Sequence, residues 1–326
     1  VRLGTIRGLD ACSSDQGTFA VLALDHRNNL RHLLAPDDPD TVTWARMVEL
    51  KEAIVRAIAP LADGILLDAE IGAGPVIASG ALPSGCGLMI AVEASGYEGP
   101  GTARRSRILP AWSVAQIKRL GADAVKLLLY YHPDAATAED QERLLIEVAE
   151  ACADHDIPLF LETLGYPISE DGAKLTGEAR REIVVRTARR LTALGGDVLK
   201  CEFPYDPSVT DRSQWREACA ELEEASAIPW VILSAGVDDA TFEAQTRVAC
   251  QAGASGVLVG RSVWKEAATM PSAERDAWLR SEGAARMQRL VDIVAAEARP
   301  WRDRSPLLDG QAPGEGWYGD YPGMTG

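Results

Sequence analysis

Histidine is scarce in this chain: His26, His32, His132 and His155 are the only four among 326 residues, and none stands at a ligand-like spacing from another. A zinc centre built on histidine and acidic ligands is therefore not expected, and no metal or other cofactor is called for. Cysteine is nearly as sparse. Its six copies (Cys12, Cys86, Cys152, Cys201, Cys219, Cys250) contain no CxxC pair, which argues against a disulfide framework and fits reduced thiols in a cytoplasmic protein. Basic residues are outnumbered, 33 Lys plus Arg against 48 Asp plus Glu for a net charge of -15. Phosphate polymers demand a basic surface, so neither nucleic acid nor an anionic membrane is an expected partner. No apolar run reaches 18 residues, and the N-terminus lacks the basic-then-apolar order of a secretory signal.

What is present is a recurring unit: a short apolar run, a turn, then an amphipathic helical stretch. The runs are Phe19 to Asp25, Gly64 to Glu70, Gly87 to Glu93, Ala124 to Tyr131, Pro158 to Leu164, Asp197 to Phe203, Pro229 to Gly236 and Gly256 to Ser262. Near-continuous Val, Ile and Leu in such runs suits parallel strands covered on both faces. Eight of them alternating with helices predict a closed (β/α)8 barrel, with an open doubly wound sheet as the competitor. The weakest unit is the Gly-rich connection Ile71 to Cys86, which has room for only a short helix. Residues 1–299 read as one barrel domain with closing helices over Glu274 to Arg299. The tail 300–326 is too rich in Gly and Pro to fold alone; it reads as disordered, or as a strap lying on a neighbouring surface through Trp317, Tyr318 and Tyr321.

In a barrel, residues at the carboxyl ends of strands face the active site. That rule selects Asp25, His26 and Arg27, then Asp68 and Glu70, Glu93, Glu162, and Gly260, Arg261 and Ser262. Two lysines stand inside apolar runs, Lys126 and Lys200, where an ammonium is costly to bury. One reading is a structural ion pair with Glu162 or Glu202. The other is Schiff-base chemistry: a second cation and desolvation both favour a neutral amine able to attack a carbonyl, with Glu162 as acid or base. Cys201, next to Lys200, faces the opposite side of the strand and reads as a packed core thiol. The ends of runs seven and eight carry Ser234, Gly236, Gly260 and Arg261, the equipment for holding a phosphate. Arg104 and Arg105 read as a solvated loop pair, with reach toward a distal phosphate as the alternative.

The segments LALDHR, ILLDAEIG, WSVAQIKRLGADAVKLLLYY, PLFLETLGY, GGDVLKCEFP, PWVILSAGV and GASGVLVGRSVW resemble, in order, the class I tagatose 1,6-bisphosphate aldolases and their relatives, the sulfofructose-phosphate aldolases. The resemblance covers roughly Gly17 to Trp301 and implies a (β/α)8 barrel. It implies that Lys200 forms the Schiff base at C2 of a ketose 1-phosphate, and that Glu162 shuttles protons. Lys126 would bind hydroxyls and depress the nucleophile's pKa, and Ser234, Gly236, Gly260 and Arg261 would hold the C1 phosphate. Asp25, His26 and Arg27 would face the far end of the sugar. Where that family usually ends its first strand Asp-Gln-Arg, this chain has Asp25-His26-Arg27. The expected partner is thus a small phosphorylated or sulfonated ketose, cleaved to dihydroxyacetone phosphate and a three-carbon aldehyde; a homo-oligomer is left open. A barrel that binds a sugar phosphate without catalysis, keeping Lys200 only as a charge partner, is the contrasting expectation.

Overall fold

A computed structural model describes residues 2–169, 174–308, 313–319 and 321. Its strands are β1 (Phe19–Leu24), β2 (Gly64–Leu67), β3 (Gly87–Ala91), β4 (Ala124–Tyr130), β5 (Leu159–Leu164), β6 (Val198–Glu202), β7 (Trp230–Leu233) and β8 (Gly256–Val259). Each pairs in parallel with the next, and β8 pairs with β1, closing an eight-stranded barrel. All eight expected runs are strands, seven of them ending one to three residues sooner than the apolar text and β5 ending with it at Leu164, and the open sheet is excluded. Among the described residues no helix is long and apolar enough to cross a membrane.

Side chains alternate across a strand, so one parity fills the barrel and the other meets the helices. Inside lie Val21, Ala23, Leu66, Met89, Ala124, Phe160, Val198, Val231 and Leu258. Outside, residues of the other parity join a larger core with the surrounding helices, and Cys201 packs there. At the amino-terminal end of the barrel a repeated clasp ties neighbouring strands. Asp63, Asp123 and Asp197, each just before an even-numbered strand, accept the backbone N–H of Ala20, Leu88 and Leu159 on the preceding odd strand, all at 2.8 Å. These bonds satisfy strand-end donors that have no ladder partner.

The helices include α1 (Leu3–Ala11), α2 (Asn28–Leu34), α3 (Trp44–Ile58), the short α4 (Ala73–Ala78) in the Gly-rich connection, and α5 (Val114–Leu120). They continue with α6 (Ala138–Asp154), α7 (Gly177–Leu191), α8 (Arg212–Ala225), α9 (Asp239–Gln251) and the one-turn α10 (Arg261–Trp264). Helices α11 (Ser272–Trp278) and α12 (Ala284–Glu297), joined by a π turn, close the ring. Helix α1 is not visible in the apolar pattern, and its glycines argue against a helix by propensity. They are there for contact: a Cβ at Gly8 would lie 2.2 Å from the Asp123 carbonyl oxygen. Only a bare backbone can lie this close to the barrel floor.

The expectation for the tail is corrected over Trp301–Leu308. Trp301 is fully buried and belongs to the interior cluster with Phe19, Leu9 and Cys12, plugging the amino-terminal end of the barrel. Its backbone N–H donates to Gly17 O at 2.8 Å. Further on, Trp317 and Tyr318 stay largely exposed while the Tyr321 hydroxyl donates to Asp156. Residues 309–312, 320 and 322–326 of that tail lie outside the described residues. Trp301→Ala should destabilise the protein by about 3–5 kcal/mol, the usual cost of deleting a buried large aromatic. Urea unfolding checks this; a loss under about 1 kcal/mol would show that the plug contributes little.

Candidate active site

At the carboxyl-terminal end the parity that packs the barrel interior continues into charge. Asp25 follows Val21 and Ala23; Glu93 follows Met89 and Ala91; Lys126, Glu162 and Lys200 follow Ala124, Phe160 and Val198 by two residues each. In the ladders Glu162 stands opposite Lys200, so the two share one level on adjacent strands. These groups line a cavity of about 460 Å³ at the barrel mouth.

Lys126, 1% exposed, lies at the centre. Its Nζ donates to Asp25 Oδ2 at 2.8 Å and Glu93 Oε1 at 2.7 Å, and sits 2.8 Å from Glu162 Oε2. Burial alone would push this ammonium down, but Asp25, Glu162 and Glu93 outweigh it and hold its pKa well above the ordinary lysine value. The same Glu162 Oε2 accepts from Lys200 Nζ at 2.8 Å. Burial pushes the Glu162 carboxyl up, yet Lys126 and Lys200 together pull it below the usual carboxylate value. Asp25 is held well below its ordinary value by the same two lysines against a similar burial penalty. Lys200 is 3% exposed and reaches the cavity between Glu162 and the end of β7.

The three residues that end the first run do not act on one end of the cavity. Asp25 turns inward to Lys126. Arg27 is clamped, its Nη1 donating to the Glu93 carbonyl at 2.7 Å and to Glu70 Oε2 at 3.1 Å, and its Nη2 to Glu93 Oε1 at 3.3 Å. His26 lies on the β8 side, edge-on to Trp264 with ring centroids 5.1 Å apart. A Cβ at Gly260 would be 3.0 Å from its Cε1. Burial takes the His26 pKa down to about 4, with Asp25 opposing, so the ring is neutral near pH 7.

Beside His26, the loops after β7 and β8 face each other. Ala235 and Gly236 have φ of 48° and 81°, and a Cβ at Gly236 would lie 3.0 Å from Arg261 Nη2. The guanidinium can rest over this loop because nothing projects from it. Among the described residues the Arg261 side chain makes no ion pair or hydrogen bond, and burial lowers its pKa. Every other cation of the cavity, Arg27, Lys126 and Lys200, is already on a carboxylate. Ser234, buried at the end of β7, completes this corner.

Two groups carry more than their sequence context suggests. Glu93 joins Lys126, Arg27 and the Leu128 N–H, the last at 3.1 Å on Oε2; its in-phase position after Met89 and Ala91 is the signal. Lys51, fully buried on α3, pairs with Asp68 and donates to the Leu24 carbonyl at 2.8 Å, tying down the end of β1. It falls on the apolar stripe of α3 among Met47, Leu50, Ile54 and Val55, where a lysine is as unusual as one in an apolar strand. Asp68 thereby serves a structural pair, and its other oxygen accepts from the Ile71 N–H at 2.7 Å. Among the described residues no three His, Cys, Asp or Glu side chains are arranged as a metal site.

Lys126→Met would leave three carboxylates without their common cation and should cost about 3–5 kcal/mol near pH 7. The pairing holds Asp25 and Glu162 below their unfolded values, so its stabilisation is present above the ordinary carboxylate range and disappears as pH falls through the folded values. The gap between wild type and variant should therefore narrow in urea titrations taken below about pH 4. A pH-independent gap would show that these carboxylates do not depend on Lys126.

A family model described as DeoC/LacD family aldolase matches residues 19–266. The chain is 31% identical to tagatose 1,6-diphosphate aldolase 1 of Streptococcus mutans over 318 residues, covering 91% of this chain and 97% of that protein. It is 32% identical to the tagatose 1,6-diphosphate aldolase of Lactococcus lactis, again over 91% and 97% of the two chains. Among solved structures, an archaeal fructose-1,6-bisphosphate aldolase with its catalytic lysine bound to the carbinolamine intermediate superposes with a TM-score of 0.58 at 20% identity, covering 88% of this chain and 98% of that one. The fructose-bisphosphate aldolase of Plasmodium falciparum gives 0.68 at 12% identity, covering 91% and 96%. At these identities the structural likeness speaks for the fold.

Proposed function

Since the chain belongs to the DeoC/LacD aldolase family, we propose that it is a metal-independent, Schiff-base aldolase that cleaves a ketohexose 1-phosphate to dihydroxyacetone phosphate and a three-carbon aldehyde. The observation that carries this reading is Lys200 Nζ at the barrel mouth, 2.8 Å from Glu162 Oε2 and on the same cavity as an unpaired guanidinium. The relatives' names point to tagatose 1,6-bisphosphate as the reference substrate, with glyceraldehyde 3-phosphate as the aldehyde; 6-deoxy-6-sulfofructose 1-phosphate, giving sulfolactaldehyde, is the alternative.

The C1 phosphate sits on Arg261, the backbone around Gly236 and Gly260, and Ser234, with neutral His26 adding a donor. Strands lie about 4.8 Å apart, so Lys200 on β6 is roughly two strand spacings from the β8 loop. Both side chains line the same cavity, and on this reading a three-carbon phosphate bridges them. The C2 carbonyl then meets Lys200 Nζ. Glu162, in contact with the amine, takes the proton that frees its lone pair and returns one to the carbinolamine oxygen, which leaves as water. With the iminium formed, Glu162 accepts the C4 hydroxyl proton. The C3–C4 electrons pass into the iminium as an enamine, and the aldehyde departs. Protonation at C3 and hydrolysis release dihydroxyacetone phosphate. Lys126, fixed by its carboxylates, stays charged and orients Glu162 while offering a donor to substrate hydroxyls. Asp25 and Arg27 act by holding Lys126 and Glu93.

Borohydride reduction with dihydroxyacetone phosphate present should lock one three-carbon phosphate adduct onto the Lys200 peptide, and Lys200→Ala should abolish both adduct and turnover. Glu162→Gln should slow turnover by about 10²- to 10⁴-fold, the scale of a lost acid–base group. An unmodified Lys200 peptide in the mass spectrum would leave the sugar-phosphate-binding barrel as the better reading. Arg261→Ala should raise KM for phosphorylated ketoses by roughly ten- to a hundredfold, as expected for one charged hydrogen-bonding anchor, with a smaller effect on kcat. An unchanged KM would move the phosphate elsewhere.

A further inference from the structure

Among the described residues the cavity has one free anchor for an anion and a far wall without a second. In a closed barrel of strand order one to eight, β3 and β4 stand across from β7 and β8. A substrate whose phosphate lies on Arg261 and whose carbonyl meets Lys200 must place its distal carbons against that opposite wall. Beyond Glu93 and Lys126, which pair with each other, that wall presents Ser95 and Tyr97 after β3 and Leu128 and Tyr130 on β4, all uncharged. Tyr97 and Tyr130 meet edge to face with centroids 5.0 Å apart, and burial, with Glu162 nearby, raises the Tyr130 pKa and keeps the phenol neutral.

The nearest further cation on that side is Arg104, and it stands behind the wall. Its guanidinium carbon lies 4.6 Å from the Tyr97 centroid, 4.8 Å from Tyr166 and 5.8 Å from Tyr130, while Nε donates to the Gly101 carbonyl at 3.0 Å. Arg104 does not line the cavity. The two remaining cations in reach of the far end, Arg27 and Lys126, are committed to Glu93 and Asp25. Over the whole cavity four cations, Arg27, Lys126, Lys200 and Arg261, face three carboxylates, Asp25, Glu93 and Glu162. One phosphate dianion takes this set from +1 to -1. A second would place an uncompensated dianion near Glu93 and Asp25, in a protein already at -15.

We infer that the distal end of the substrate is uncharged, so that the aldehyde partner is a neutral hydroxyaldehyde of the glyceraldehyde type and the preferred ketose is a 1-monophosphate. This rests on the aldolase reading above, keeps its ketohexose 1-phosphate and Schiff base, and replaces the two distally charged substrates named there. Neutral donors and the two ring faces hold the distal hydroxyls, and the single phosphate on Arg261 supplies the charge recognition.

The condensation direction tests this without presupposing the configuration at C4. With dihydroxyacetone phosphate as the common donor, kcat/KM is measured for D-glyceraldehyde and for D-glyceraldehyde 3-phosphate on the intact chain. The expected ratio favours glyceraldehyde by roughly tenfold, reflecting like-charge exclusion; a ratio below one overturns the inference. Arg104→Gln should leave the ratio unchanged. A selective loss with the phosphorylated aldehyde would assign the distal anion to Arg104 and overturn it as well. Borohydride trapping of dihydroxyacetone phosphate on Lys200 separates the two levels: trapping with a ratio below one sinks only this inference, whereas no trapping removes the aldolase reading and this with it.

Discussion

The mouth of the barrel is organised by one buried ammonium. Lys126 draws carboxylates from β5 and from the ends of β1 and β3 onto a single nitrogen, and an ammonium so buried is tolerable only because those charges surround it. Much else in the site follows from that pairing. It fixes the Glu162 oxygen that Lys200 meets, and it occupies Glu93, whose other contacts position Arg27 and the Leu128 backbone. Among the described residues it also leaves Arg261 as the cavity's free cation. The corner proposed to hold the anion is thus defined as much by which cations are already neutralised as by the glycines that shape it.

The two ends of the barrel divide structural and chemical work. At the amino-terminal end the aspartate clasps, helix α1 and Trp301 satisfy strand-end donors and seal the apolar interior. At the other end the same alternation presents ionised groups in place of apolar ones. The buried charge at the mouth is offset within the cluster itself, while Lys51 and Asp68, outside the barrel wall, hold the Leu24 carbonyl from which Asp25 and His26 extend. A helix thereby fixes the geometry of a strand end that carries site residues.

Most of the fold was legible because strand parity and apolar run length are local. Eight runs gave eight strands, and the phase linking Phe160 to Glu162 and Val198 to Lys200 already placed both charged groups inside. The helices that escaped are those whose residues serve a surface beyond their own segment. In α1, Gly4 and Gly8 lower helix propensity, yet the contact with the barrel floor requires them. Trp301 likewise sits in a Gly- and Pro-rich neighbourhood that reads as loose until the barrel floor it fills is present.

The sequence by itself determined the barrel, the lysine–glutamate pair on neighbouring strands and the glycine–arginine corner, because each depends on spacing within a few residues or on adjacent strands. Only the tertiary structure decided which cation meets which carboxylate. Asp25, His26 and Arg27 are consecutive in the chain but diverge to Lys126, to Trp264 and Gly260, and to Glu93. That divergence follows from barrel closure, which brings β8 beside β1 and sets the ends of β3 and β4 against it, and Coulomb pairing obeys distance in space rather than position along the chain.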